Sequence, residues 1–388
     1  MYCTFSIEPS YGTDSTSQDY VVDLVSEAII DNLNYEKNIE FNYPTAQDRH
    51  PTIKTVEGRV EFELTYGNEA WNILFQTLIG QRLRLTDFAL APSSEKWHII
   101  IGMLSSSLDN NATSFNITEH RAGEFDNVDG IIVNNEYIAI SSISSGNVTG
   151  STRGSEGSTA ASHNQNTLVY GVVTSGGNTV DIISRYRDGF CYYLPTSITF
   201  VVYRDGTYFK FNGIQFQDFI FNARPLEGVA TSFLAKGKDA GILSLASPSS
   251  AVDNNVLIDT DQIGCYSMGS AIDIAKVYFQ VSNTLSQDSA LFLNDTYGEM
   301  ILERFSTYGQ FTAVEETTQF YEDYKNDEKK NLSLTLCNGK NFDKAHVFVF
   351  NDIKYGTMMH VLRSSKDIED SVPFFCYGED SFSILIQN

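Results

Sequence analysis

The stretch SITFVVYRDGTYFKFNGIQFQDFIFNARPLEGVATSFLAKGKD, residues 197–239, decides the fold class. SITFVVYRDGTYFKF reads as a β-hairpin turning across Arg204-Asp205-Gly206, because Asp-Gly supplies the left-handed conformations a two-residue turn needs. NGIQFQDFIFNARP and EGVATSFLAKG then read as two further strands. The whole chain shares this tilt. Aromatics make up 13%, with 26 Phe and 21 Tyr, and such residues favour half-buried pleated surfaces. Prolines number only 8, so strands are rarely interrupted.

Upstream, EGRVEFELTYGN (57–68) alternates Val60, Phe62 and Leu64 with Arg59, Glu61 and Glu63, the signature of a half-buried strand. Asn68 is placed to cap a helix from Glu69, and Gly80 to close it. Trp71, Leu74, Phe75, Leu78 and Ile79 fall on one apolar stripe and are predicted to pack into the core. VVDLVSEAII (21–30) is amphipathic, and residues 41–55, with two prolines, read as a long loop. Two short strands, LRLTDFAL and WHIIIGML, are expected within 81–103. From 104 to 190 the composition shifts to Ser, Gly, Asn and Thr, and about 127–175 reads as a small β module. Residues 238–262 read as a polar connection.

The sequence repeats itself. YGQFTAVEETTQFYEDYKND (308–327) parallels EGRVEFELTYGNEAWNILFQ (57–76), with Gly309 on Gly58 and a shorter helical stripe of Phe320, Tyr321 and Tyr324. Phe350-Asn351-x-Ile353 parallels Phe211-Asn212-x-Ile214, and FFCYG (374–378) parallels FLAKG (233–237). Gly58 to Asn212 spans 154 positions and Gly309 to Asn351 only 42, so the first copy carries 154 − 42 = 112 extra residues. Two tandem domains are expected: 1–262, with an insertion at 104–190, and 263–388.

The net charge of −23 argues against tight binding to a DNA backbone, which needs clustered Lys and Arg. The 5 cysteines are scattered and form no CxxC pair, which speaks against zinc and against a disulfide scaffold. The start MYCTFSIEPSYG has no signal-peptide pattern, and no apolar run approaches the ~18 residues of a membrane span. The phosphate-loop, GxSxG, HExxH and EF-hand patterns are absent. Asp126, Asp129 and Gly130, or Asp259 and Asp261, lack the ligand count of a calcium site. The expectation is a non-enzymatic protein with no metal and no cofactor.

VEGRVEFELTYGNEAWNILFQTLIG (56–80), the 197–239 stretch and 304–386 together resemble the tail tube proteins of long-tailed bacteriophages. Within NNEYIAISSISSGNVTGSTRGSEGSTAASHNQN (134–166), Thr152-Arg153-Gly154 and Gly157 to His163 are similar to a small β module of phage virion proteins. The resemblance implies tandem β-sandwich or barrel domains, each flanked by a helix, in a structural virion protein. Such subunits form stacked rings that conduct double-stranded DNA, alongside tape-measure, tail terminator and baseplate proteins. A duplicated chain implies a pseudo-sixfold ring of three subunits. Tyr43, Pro44, Arg49, His50 and Pro51 are the ring-stacking candidates, and an acidic inner wall is expected to keep DNA from sticking. The alternatives are a distal tail or hub protein of the same fold, and a carbohydrate-binding adhesin with exposed aromatics.

Overall fold

The computed structural model describes residues 2–13, 15, 19–37, 49–93, 99–185, 187–188, 191–192, 196–224, 229–243, 256–258, 263–267, 270–286, 301–313, 318–337, 344–357, 359–362, 368–377 and 381–388. It begins with β1 (Tyr2–Ile7), β2 (Tyr20–Glu27), β3 (Ile30–Lys37), β4 (Arg49–Glu63), β5 (Thr65–Tyr66) and α1 (Glu69–Ile79). Then come β6 (Gln81–Leu90), β7 (Ile101–Leu104), β8 (Phe115–Glu119), β9 (Gly130–Val133), β10 (Glu136–Ala139), β11 (Ser142–Ser144), β12 (Asn147–Thr149), β13 (Leu168–Ser184), β14 (Arg187–Asp188) and β15 (Cys191–Tyr192). The 197–239 stretch supplies β16 (Ile198–Arg204), β17 (Thr207–Ala223) and β18 (Ala230–Gly237), followed by β19 (Asp239–Leu243) and β20 (Val256–Leu257). The remainder is β21 (Ile263–Ser267), β22 (Ser270–Ile272), β23 (Ile274–Ser286), β24 (Ile301–Ala313), α2 (Thr318–Lys325), β25 (Lys330–Cys337), β26 (Ala345–Tyr355), β27 (Met359–Leu362), β28 (Ile368–Cys376) and β29 (Phe382–Gln387). The fold is mainly β, and its strand pairs are antiparallel.

Local chemistry accounts for the key elements. The β16–β17 hairpin turns on Asp205 (φ +48°) and Gly206 (φ +85°), with Arg204 facing Thr207. The Asn68 side chain accepts from the Ala70 amide at 2.9 Å, and the Gly80 amide donates to the Gln76 carbonyl at 2.9 Å, so α1 is capped at each end. Trp71, Leu74, Phe75 and Leu78 are fully buried, and the Trp71 indole donates to Thr65 Oγ1 at 3.0 Å. In α2, Phe320 is buried against Phe311 and Tyr355, but Tyr324 is 39% exposed and Tyr321 51% exposed. The expected three-residue stripe is therefore a single anchor: this helix has only eight residues, and Asp323 rather than Tyr324 takes its second buried position, bound to Lys330. Residues 49–55, expected in a loop, belong to β4 and pair with β3 as far as Lys37 opposite Arg49. Pro51 is tolerated there because it lies at the end of a bulge, facing Tyr35. Tyr43 and Pro44 lie outside the described residues.

One set of ladders occurs twice. Leu24 faces Phe62 and Ser26 faces Glu61 across a bulge; Ile274 faces Ala313 and Lys276 faces Thr312 across the same bulge. Ile198 faces Ile214 and Phe200 faces Phe211; Lys330 faces Ile353 and Leu332 faces Phe350. Each of those bulges centres on a left-handed residue, Gly213 (φ +68°) or Asp352 (φ +53°). Gly58 faces Ala235 and Gly309 faces Phe374, so Gly237, not Ala235, holds the place of Cys376. The FLAKG–FFCYG match is thereby moved by two residues. Both glycines are required by close approach: a Cβ on Gly58 would strike the Ala28 carbonyl, and one on Gly309 the Tyr278 carbonyl.

These ladders build one continuous layer in the order β3–β4–β18–β17–β23–β24–β28–β27. Its two halves meet at β17–β23, from Asp218 opposite Ser282 to Ala223 opposite Val277. A second layer carries β2–β1–β16–β17–β19 for the first half and β22–β21–β25–β26–β29 for the second. The long excursion between α1 and β16 is stitched to this second layer: Val180–Ser184 of β13 pair with Ser383–Gln387 of β29, and β6 pairs beyond. A single apolar cluster runs through both halves. Phe279 lies at its centre, within 4.9–6.2 Å (ring centroids) of Phe219, Phe221, Phe348, Phe350 and Phe382. Phe279→Ala removes a ring shared by both halves, and urea unfolding is expected to show a loss of about 3–5 kcal/mol in one cooperative transition.

Candidate functional site

The eight-strand layer has a core face and an open face, and alternation assigns every residue between them. Val60, Phe62, Phe233, Phe219, Phe279, Phe311 and Phe374 point inward. The open face carries Glu57, Arg59, Glu61 and Glu63 of β4, Ser232 and Lys236 of β18, and Asp218 of β17. It continues through Lys276, Tyr278, Gln280 and Ser282 of β23 and Arg304, Ser306, Tyr308, Gln310 and Thr312 of β24. On β4, β17, β18, β23 and β24 this face carries Glu57, Glu61, Glu63 and Asp218 beside Arg59, Lys236, Lys276 and Arg304, four charges of each sign.

Hydrogen bonds lace the open face. Arg59 donates to Ser232 Oγ at 2.7 Å, Tyr308 to Gln280 Oε1 at 2.6 Å, and Gln280 to Ser282 Oγ at 3.0 Å. Lys236 stands directly opposite Glu57 in the ladder and donates to the Leu285 carbonyl at 3.2 Å, across the β17–β23 joint. Tyr278 and Tyr308 are 6.4 Å apart, and burial raises the Tyr278 hydroxyl to about 12. The Tyr278 phenol is therefore a neutral donor at neutral pH.

The ends of this layer are its other chemically active feature. Among the described residues β3 pairs only with β4, and β27 only with β28. Each presents a row of backbone N–H and C=O groups to one side. Ile30, on the β3 edge, is 52% exposed, and Val25, at the β2 bulge, 57%. Phe375 and Tyr377, near the opposite end, are 45% and 51% exposed.

The RG…H motif of the small β module has a structural role that the sequence did not reveal. Glu136 on β10 is fully buried. Its carboxylate accepts from Arg153 Nε and Nη2, both at 2.8 Å, from the Gly154 and Ala161 amides at 2.9 and 3.1 Å, and from His163 Nε2 at 2.7 Å. Loop 152–163 is thus wound around one anion. Asp126 and Asp129 accept from the Ser145 and Thr174 amides, so these carboxylates also brace loops; Asp259 and Asp261 lie outside the described residues. Among the described residues no group of three His, Cys, Asp or Glu is arranged to hold a metal.

A second cluster fixes α1 to the excursion. Asp181 of β13 accepts from Arg82 Nε at 2.8 Å, Arg84 Nε at 3.0 Å and Asn72 Nδ2 at 2.8 Å, while Glu69 accepts from both arginines. Burial raises the Asp181 carboxyl to about 6 against the pull of the Arg84 guanidinium. A third carboxylate, Glu8, ties the N-terminal strand to the Gly213 bulge through the Gly12 and Gly213 amides and the Ser197 and Thr199 hydroxyls.

Glu136 yields a prediction with a definite sign. Burial raises its carboxyl, but His163, Arg153 and the two amides outweigh this and bring it to about 2, below the usual 4.5. A depressed carboxylate stabilises the fold above its unfolded value, and that contribution fades as pH falls from about 4.5 toward 2. Glu136→Gln is expected to cost about 3–5 kcal/mol at pH 7, because Arg153 is left without its buried partner. The gap from wild type should narrow in thermal melts taken between pH 4.5 and 2. Of the ring-stacking candidates, Arg49, His50 and Pro51 sit together on β4 at the far end of its ladder with β3. No protein-family model matches the chain, and no curated protein matches it significantly.

Proposed function

We propose that this chain is the tail tube subunit of a long-tailed bacteriophage. It is assembled in the host cytoplasm and built into the virion as stacked rings around the path of double-stranded DNA. Residues 1–262 and 263–388 are then two copies of one tube domain, the first enlarged by the excursion after α1. The observation that carries this reading is the β17–β23 joint. It unites two half-layers with matching ladders, β3–β4–β18–β17 and β23–β24–β28–β27, edge to edge. A half-layer that continues into its own equivalent is the repeating unit of a ring. Closure removes both exposed edges at once, which no monomer of this topology does. With two units per chain, three chains complete six positions.

The open face suits passage of a polyanion. Phosphate binding needs Lys and Arg whose charge is not already neutralised. Here Lys236 faces Glu57, and Arg59 lies between Glu57 and Glu61 along β4, so cations are met by carboxylates on the same face. Hydroxyls and amides fill the space between them. This is a wall made inert by charge balance rather than by net negative charge. Tape-measure, tail terminator and baseplate proteins are the partners this role requires. The adhesin reading draws less support, since Trp71 is fully buried.

Negative-stain electron microscopy of the purified chain tests the proposal. Hollow tubes of stacked rings with three-fold symmetry are the expected result. Six-fold rings would keep the tube and remove the duplication argument. Single capped rings that never stack would favour a distal tail or hub protein.

A further inference from the structure

The internal joint specifies the contact between chains. We infer that β27 of one chain pairs antiparallel with β2–β3 of the next, in a register fixed by the one already built between β17 and β23. The inference rests on the ring reading above and adds the residues that meet.

The register follows from equivalences in the ladders. Ile220 faces Ser232 as Met359 faces Ser371, and Phe221 faces Thr231 as His360 faces Asp370. Residues 220–223 of β17 therefore occupy the place of 359–362 in β27. On the other side, Gln280 faces Tyr308 as Ile30 faces Glu57, and Val281 faces Thr307 as Asp31 faces Val56. The bulges agree as well: Leu285 faces Leu302 where Tyr35 faces Pro51. Residues 277–286 of β23 thus occupy the place of 27–36.

Within the chain, Ile220 faces Gln280, Phe221 faces Phe279, Asn222 faces Tyr278 and Ala223 faces Val277. Transposed, Met359 faces Ile30 of the next chain, His360 faces Ile29, Val361 faces Ala28 and Leu362 faces Glu27. The chemistry of the receiving edge fits. Ile29 is fully buried, as its counterpart Phe279 is, and so anchors the inward side. Ile30 is 52% exposed and lies where Gln280 is covered by Ile220 in the internal joint. On the donating side, Phe375 is 45% exposed and corresponds to Lys236, which reaches across the internal joint to Leu285. An aromatic ring left open at that position is accounted for by a neighbouring strand laid beside it. A second copy of this chain is the occupant, because only it brings the edge that the internal joint shows to be complementary.

The test uses full-length chains carrying one new cysteine each. Met359→Cys chains are mixed with Ile30→Cys chains, assembled, mildly oxidised and resolved on non-reducing gels; the designed link can form only between chains, and wild type reports any link made by the 5 native cysteines. Facing residues of an antiparallel pair have Cα atoms about 4.5–5.5 Å apart, inside the roughly 4.4–6.8 Å that a disulfide spans, whereas a two-residue slip carries them beyond it. Covalent dimers are expected from this mixture, and at least ten-fold fewer from Met359→Cys with Asn32→Cys or from wild type. Electron microscopy of the same mixtures, before oxidation, reads assembly separately. Rings or tubes whose chains link equally through Asn32→Cys, or not at all, overturn the register and leave the tube reading intact. Failure of wild-type chains to form rings under any condition overturns both. If the cysteine variants alone fail to assemble, Met359→Ser and Ile30→Ser report whether the position or the thiol is at fault; serine variants that assemble with unlinked cysteine counterparts count against the register.

Discussion

A β-strand at the edge of a sheet leaves half of its backbone polar groups without a protein partner, and every level of this molecule is arranged around that constraint. Within the chain it is met at β17–β23, where the last strand of one half-layer supplies partners to the first strand of the next. Each amide or carbonyl left buried without a partner costs on the order of 1–3 kcal/mol, so a joint of six facing pairs is not a casual contact. The phenylalanines beneath it make the joint cohesive. Phe219 and Phe221 from one half and Phe279, Phe348 and Phe350 from the other form one apolar body that both halves share.

The buried carboxylates divide the remaining work. Glu8 holds the N-terminal strand onto the Gly213 bulge, Asp181 and Glu69 clamp α1 to the excursion through two arginines, and Glu136 gathers loop 152–163. In each case an acidic side chain is surrounded by donors and serves as a local hub. Part of the acidity of the chain is therefore structural, and on β4, β17, β18, β23 and β24 the open face carries charges of both signs. Net charge is a property of the whole surface, while repulsion of a sliding polyanion depends only on the side chains that face it.

The excursion after α1 breaks the equivalence of the two halves in the second layer. β29 is covered by β13, whereas β19, at the corresponding position in the first half, pairs only with β17 among the described residues and leaves Ile242 74% exposed. The eight-strand layer keeps its symmetry. Additions that lie outside it leave the strand-to-strand joints unchanged, which is how one half can be enlarged without disturbing the other.

The sequence by itself determined what depends on neighbours along the chain. Period-two alternation marked β4 and the β16–β18 run, Asp205-Gly206 marked the hairpin, and Asn68 and Gly80 marked the ends of α1, because each is a contest between local conformations. The recurrence of Gly58 at Gly309 and of the Phe-Asn-x-Ile runs at matching ladder positions was legible too, since a close backbone approach and a left-handed bulge restrict residue type. Long-range register was not legible. The two-residue error in matching FLAKG to FFCYG, the strand hidden in residues 49–55 and the solvent-facing Tyr324 all concern which partner a segment meets. Strand sequences with the same alternation fit several registers, and only the shared core selects one. For the same reason the sequence could mark Arg153 and His163 as part of a motif, but only tertiary structure brought them, from 17 and 27 residues away, onto the single carboxylate of Glu136.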